Sequence, residues 1–171
     1  MDPDLLLLRR MRQGDEEAVE IFVRKYYPAI LGYCRCHLDR PQEAEDLTQE
    51  TFARFFASLD RYRHYGKAAN YLYVIAGNLC KDYYRKGSSL PLDEQSEPAA
   101  QPLEALEERL DLEAAFRALP EDIRQTAILY FLQERKQREI AKILDIGLPL
   151  VKYRIRRARE LLAHHLRKEV F

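Results

Sequence analysis

Apolar residues recur three and four positions apart along most of the 171-residue chain, the spacing that lines one face of a helix. No segment alternates at the two-residue period of a strand, so the pattern predicts an all-α fold. Two stripes are especially regular: Tyr71, Leu72, Ile75, Ala76 and Leu79 in the first half, and Val151, Ile155, Ala158 and Leu162 near the end. Between them the stretch KGSSLPLDEQSEPAAQPLEA, residues 86–105, abandons the period for Gly, Ser, prolines and the acids Asp93, Glu94, Glu97 and Glu104. The chain is therefore expected to form two small helical domains, over 1–87 and 108–171, joined by a flexible acidic linker over 88–107. About twenty extended residues reach roughly 65 to 70 Å, so the two domains can sit on well-separated sites.

The C-terminal pattern carries the first chemical signal. REIAKIL supplies Ile140, Ala141, Ile143 and Leu144, DIGLP interrupts, and a second helical period starts near Leu148. Two short helices around a tight turn make a helix-turn-helix. With Val151, Ile155, Ala158 and Leu162 turned to the core, Tyr153, Arg156 and Arg157 face outward, flanked by Lys152, Arg154 and Arg159. Few acids stand four residues away to balance these cations, unlike an ordinary solvated helix. In a DNA major groove Arg156 or Arg157 suits a guanine edge, Tyr153 a thymine methyl, and the flanking cations phosphates.

Composition sharpens that reading. The formal net charge is zero, yet from Arg135 to Lys168 eleven Lys or Arg face only Glu139, Asp145 and Glu160. From Asp93 to Asp122 ten acids face only Arg109 and Arg117, so the charge is sorted along the chain. Hydrophobic and charged fractions of 47% and 33% fit a folded, helix-rich protein. No apolar run matches a membrane span and no stretch has the order of a signal peptide, so the protein is expected to work in the cytoplasm. Cys34, Cys36 and Cys80 suit neither a disulfide framework nor a common zinc motif and read as small buried thiols. His37, His64, His164 and His165 lack a convincing partner set, and there is no phosphate loop or metal-ligand spacing. The chain is thus expected to need no cofactor or metal, to take no small-molecule substrate and to catalyse nothing.

The segment from ALPEDIRQTAILYF through REIAKILDIGLPLVKYRIRRARELL resembles region four of bacterial RNA polymerase sigma factors, particularly the extracytoplasmic-function group. It has the order of that family: a helix opened by Leu-Pro, a scaffold helix, then V-K-x-R-(I/L)-x-R-A-R. Two positions depart from it, with Asp145 where Gly is usual, at a turn position wanting positive φ, and Tyr153 where a small residue is usual. The resemblance implies that Arg138, Lys152, Tyr153, Arg154, Arg156 and Arg157 contact the minus-thirty-five element.

A second signature, AEDLTQETFARFF at residues 44–56, lies in the other half. Asp46, Gln49 and Glu50 share one acidic face at i, i+3 and i+4, while Leu47 and Phe52 point elsewhere into a core. It resembles the D-L-x-Q-E-x-F segment of sigma region two, which docks on the coiled-coil clamp of the largest polymerase subunit. Then DRYRHYGKAANYLYVIAGNLCKDYYRK, residues 60–86, is similar to W-L-Y-x-I-A-x-N-x-x-x-D-x-x-R, with Tyr71 replacing the usual Trp. Six cations and one acid between Arg61 and Gly87, interleaved with Tyr62, Tyr65, Tyr73, Tyr83 and Tyr84, suit a single-stranded nucleic-acid surface. Some of these rings are expected in the core, Tyr71 and one of Tyr83 and Tyr84 among them.

By the same resemblance, Arg61, Tyr62, Arg63, Tyr65, Asn78, Lys81 and Arg85 meet the minus-ten element. The loop from about Arg61 to Asn70 would capture an extruded base, at an unstacking cost of a few kcal/mol. The implied partners are core RNA polymerase, through the clamp coiled coil and the flap, promoter DNA and an anti-sigma factor. The acidic linker would imitate a nucleic-acid backbone inside polymerase. A helix-turn-helix regulator that never joins polymerase would explain the C-terminal half alone, and the Asp46, Gln49, Glu50 face separates the two readings.

Overall fold

A computed structural model describes residues 2–64, 67–86 and 103–170, and all regular structure among them is helical. Four helices build the N-terminal half. Asp2 caps α1 (Pro3–Arg12), its carboxylate accepting from the Asp4 N–H at 2.9 Å, and Pro3 supplies a φ already suited to a first turn. Asp15 caps α2 (Glu16–Arg35) in the same way, accepting from the N–H groups of Glu17 and Ala18. Next come α3 (Pro41–Ala57), again opened by proline, and α4 (Ala68–Lys86).

Aromatic rings fill the space between these helices. Phe22 of α2 stacks on Phe55 of α3 at 4.9 Å between centroids and meets Phe52 and Phe56 edge-on. Gly77 lets α4 approach α2, since a Cβ there would stand 3.1 Å from the Tyr33 hydroxyl. Asp4 is buried, and its carboxylate binds the Lys25 ammonium at 2.7 Å and the Tyr26 hydroxyl, which locks α1 onto α2.

In the C-terminal half, α5 (Leu103–Arg117) begins inside the span expected to be linker. Leu103, Glu104, Ala105, Leu106 and Glu107 are all strong helix formers directly after Pro102, so the helix starts as soon as proline allows. The rest of the expected linker lies outside the described residues. Helix α6 (Glu121–Ala127) runs into a π-helical turn, Ile128–Leu132, followed by α7 (Gln137–Leu144) and α8 (Leu148–Val170).

The two halves share one apolar core, and polar side chains stitch the joint. Past the π turn, Gln133 accepts from the Tyr73 hydroxyl at 2.7 Å and donates to the Ala29 carbonyl at 3.1 Å. Arg117 donates to the Arg35 carbonyl at 3.0 Å, and Arg124 donates to the Tyr84 hydroxyl at 3.1 Å. Lys67 and Glu139 pair across the joint at 3.3 Å. Among the described residues no helix is long and apolar enough to cross a membrane.

Candidate nucleic-acid interface

Helices α7 and α8 meet at Asp145, whose φ of 54° and ψ of 52° put the backbone in the left-handed region. That is the conformation expected at this position, and Asp adopts it at less cost than most side chains. The amide N–H of Ile146 closes the turn onto the Ala141 carbonyl at 3.0 Å. The turn aims α8 so that Val151, Ile155 and Ala158 are buried. Lys152, Arg156, Arg157 and Arg159 are exposed, Arg154 is half-buried, and Tyr153 stands 54% exposed among them. Arg138 is exposed on α7. Arg157 pairs with Glu160 at 3.0 Å, and the Arg159 guanidinium lies 5.6 Å from the centre of the Phe131 ring. Arg156 is exposed, in a helix whose apolar stripe fixes its rotation.

The second surface is an opening of about 340 Å³ between the end of α3 and the start of α4, lined by Ser58, Arg61, Tyr62, Arg63 and Tyr71. Tyr62 stacks on Tyr71 with centroids 5.0 Å apart and planes 25° from parallel, and Ser58 Oγ lies 3.3 Å from the Tyr71 hydroxyl. Phe55 backs both rings, at 5.4 Å from Tyr62 and 5.8 Å from Tyr71. Burial pushes the Tyr62 hydroxyl up to about 12, with the Asp4 and Asp2 carboxylates adding to the effect, so it stays protonated near neutrality. Arg61 and Arg63 are exposed at the rim. Two flat rings beside two guanidinium groups provide a stacking platform and charges for phosphates.

Asn78 and Arg85 are exposed along α4 and Lys81 is half-exposed, while Tyr65 lies outside the described residues. Tyr73 departs from the single-strand set expected of it: it is buried, holds Gln133 and carries Arg135 over its ring. Its partners lie some sixty positions away, beyond the reach of a pattern local to α4. Tyr71, expected to pack, is half-buried and also lines the opening, as does Ser58, which no local pattern singles out. Tyr83 packs against the core and Tyr84 is 42% exposed beneath the Arg124 guanidinium.

The third surface is on α3, where Asp46, Gln49 and Glu50 are all exposed. Glu50 pairs with Arg54 one turn on at 3.0 Å, and Asp46 accepts from Gln42. Thr48 and Thr51, on the opposite side, are buried with their hydroxyls returned to the Ala44 and Leu47 carbonyls.

Cys34, Cys36 and Cys80 are free and buried, and among the described residues no cluster of His, Cys, Asp and Glu could hold a metal ion. Burial pushes the Cys36 thiol up to about 12 and His37 down to about 3, the latter helped by the Arg124 charge, so both are neutral core groups.

Residues 22–89 match the family model for Sigma-70 region 2, and residues 109–162 match that for Sigma-70, region 4. ECF RNA polymerase sigma factor SigW of Bacillus subtilis is 30% identical, covering 94% of this chain and 95% of its own length. ECF RNA polymerase sigma factor SigE of Mycolicibacterium smegmatis is 35% identical over 91% of this chain and 65% of its own. Among solved structures, CnrH in complex with the cytosolic domain of CnrY has the same fold, with a TM-score of 0.79 at 22% identity over 98% of this chain and 99% of that one. RpoE from Bartonella quintana, in complex with the anti-sigma factor NepR, gives 0.72 at 22% identity over 87% and 96%. Both halves thus carry their own family match in the family's order, and a regulator standing apart from polymerase would need only the second. The chain belongs to the sigma-70 family of transcription initiation factors and is a polymerase-binding sigma factor of the extracytoplasmic-function group.

Proposed function

We propose that α7 and α8 read the minus-thirty-five duplex through Arg138, Lys152, Tyr153, Arg154, Arg156 and Arg157. The opening beside Tyr62 and Tyr71 then captures a base of the melted minus-ten strand, with Asn78, Lys81 and Arg85 along its upstream edge. The observation that carries the reading is the division of labour between two cationic surfaces. One is a convex helix face suited to a groove; the other is a concave, ring-walled opening suited to a single flipped base. The exposed Asp46, Gln49, Glu50 face of α3 offers a basic partner an acidic strip, which fits the clamp coiled coil of polymerase, while the flap would meet the C-terminal half. The chain performs no catalytic step itself. It works in the cytoplasm, where tethering two weak DNA contacts through one polymerase raises the effective concentration of each. An anti-sigma protein that covers these exposed faces would hold it inactive.

The test is run-off transcription with core polymerase on a template library randomised upstream, with the transcripts sequenced. Starts preceded by a two-part motif are expected. Arg156→Ala with Arg157→Ala should erase only its upstream part, Arg61→Ala with Tyr62→Ala only its downstream part, and alanine at Asp46, Gln49 and Glu50 should lower affinity for core polymerase. Loss of the same part of the motif in both DNA-contact variants would refute the assignment of one surface to each element.

A further inference from the structure

His64 lies within the base-capture segment, two residues after Tyr62, and is nearly enclosed, its side chain 10% exposed. Its Nε2 is bonded to the Asp2 carboxylate at the head of α1, and its Nδ1 lies 3.0 Å from the Tyr62 hydroxyl. The remaining Asp2 oxygen is already committed to the Asp4 N–H as the α1 cap. A carboxylate at Nε2 favours the tautomer with its proton there, which leaves Nδ1 to accept from the Tyr62 O–H. The backbone of Tyr62 is gripped from the other end of the same helix, where Arg12 donates to the Tyr62 carbonyl at 2.5 Å and to the Leu59 carbonyl at 3.3 Å. Helix α1 is in turn locked to α2 by the buried Asp4, Lys25 and Tyr26 cluster.

These contacts answer a mechanical question. Residues 61–64 lie in no helix, so helical geometry does not set the Tyr62 ring against Tyr71; Phe55 backs the ring and the Tyr62 N–H donates to the Leu59 carbonyl at 3.3 Å, while its hydroxyl end is met by His64. A loop side chain that must be ordered on binding weakens capture, and one ordered beforehand does not. We propose that Asp2 and His64 are positioning residues: they hold the Tyr62 ring in its stacked setting, so that α1, remote from both DNA surfaces in sequence, sets the sharpness of base choice at the captured position. The inference rests on the base-capture reading given above.

The test uses holoenzyme, this chain with core polymerase, on a duplex template library randomised across the minus-ten window. Base preference is read position by position from the sequenced transcripts. Asp2→Ala and His64→Ala should each lower the preference at one downstream-motif position by about three- to tenfold, and the double variant should be no worse than either, since both break one chain of contacts. His64→Gln, which keeps a donor and an acceptor, and Asp2→Asn, which keeps the α1 cap, should each restore part of the preference. In a Tyr62→Phe background, which lacks the hydroxyl, His64→Ala should have no further effect. Preference in the upstream element and affinity for core polymerase should not move. If Tyr62→Ala blurs one position while the Asp2 and His64 variants leave it sharp, the positioning role is overturned and the base-capture reading stands. Additive losses spread over all positions, together with weaker core binding, would also overturn it, since that is what mere destabilisation of the fold produces. If Tyr62→Ala itself leaves every preference intact, the base-capture reading falls and the positioning role falls with it.

Discussion

The two surfaces proposed to meet DNA are built in opposite ways. The α8 face is written on one continuous helix: its apolar side packs down and the cations stand up wherever the helix is placed. The opening beside Tyr62 is assembled from the end of α3, an irregular segment and the start of α4, backed by Phe55 and gripped by α1. A helix face needs only the correct rotation about one axis, set by the 3.6-residue period. A pocket needs several elements at the correct distance at once, so its function depends on the packing of the whole half.

That contrast is broken most strongly at Phe55. Truncation to Ala removes a fully buried ring that touches Phe22, Tyr62 and Tyr71, and should cost about 3 to 5 kcal/mol in denaturant unfolding. Minus-ten discrimination should collapse with it, while a duplex carrying the minus-thirty-five motif still binds wherever the C-terminal half stays folded. The opposite result is expected of Arg156→Ala with Arg157→Ala. Removing a guanidinium that pairs with a base edge should weaken duplex binding by about 1 to 3 kcal/mol in a titration, with thermal stability nearly unchanged because both side chains are exposed.

Smaller effects are expected at His37 and Asp145. His37 sits in the core of the assembled half, with its folded pKa held at about 3 against an ordinary value of 6.5. Between those values the unfolded chain binds the extra proton, so stability is fully present above about pH 6.5 and falls on acidification. The slope from this group approaches about 1.4 kcal/mol per pH unit. Urea unfolding at stepped pH should show that slope, and His37→Phe, where it folds, should flatten it. Least of all, Asp145→Gly relieves the left-handed turn before α8 and should stabilise by about 0.5 to 1 kcal/mol, visible as a slightly higher Tm, without changing the motif that is read.

Legibility in the sequence follows the same division. The stripe Val151, Ile155, Ala158 and the outward set around Tyr153 are readable because their relation is set by helical geometry within three turns. The Asp46, Gln49, Glu50 strip is readable for the same reason. Tyr73 is not, because its environment is decided by Gln133, and Tyr71 is only half legible because its hydroxyl and outer face meet Ser58 and Tyr62. One of the two partners of His64 is invisible along the chain because Asp2 lies sixty-two positions away. The start of α5 is hidden inside a stretch whose prolines and acids resemble a linker, although five strong helix formers follow the last proline.

What could be read along the chain is the all-helical class, the buried stripes of α4 and α8, the turn that needs positive φ, and the family, all of which depend on neighbours a few residues apart. Which tyrosine stacks and which packs, how α1 grips the Tyr62 segment, and how Gln133, Arg117 and Arg124 join the two halves emerge only in the folded molecule. The difference is one of range: backbone periodicity repeats every few residues, whereas a hydrogen bond or ring contact between distant segments exists only once the core has brought them within a few ångströms.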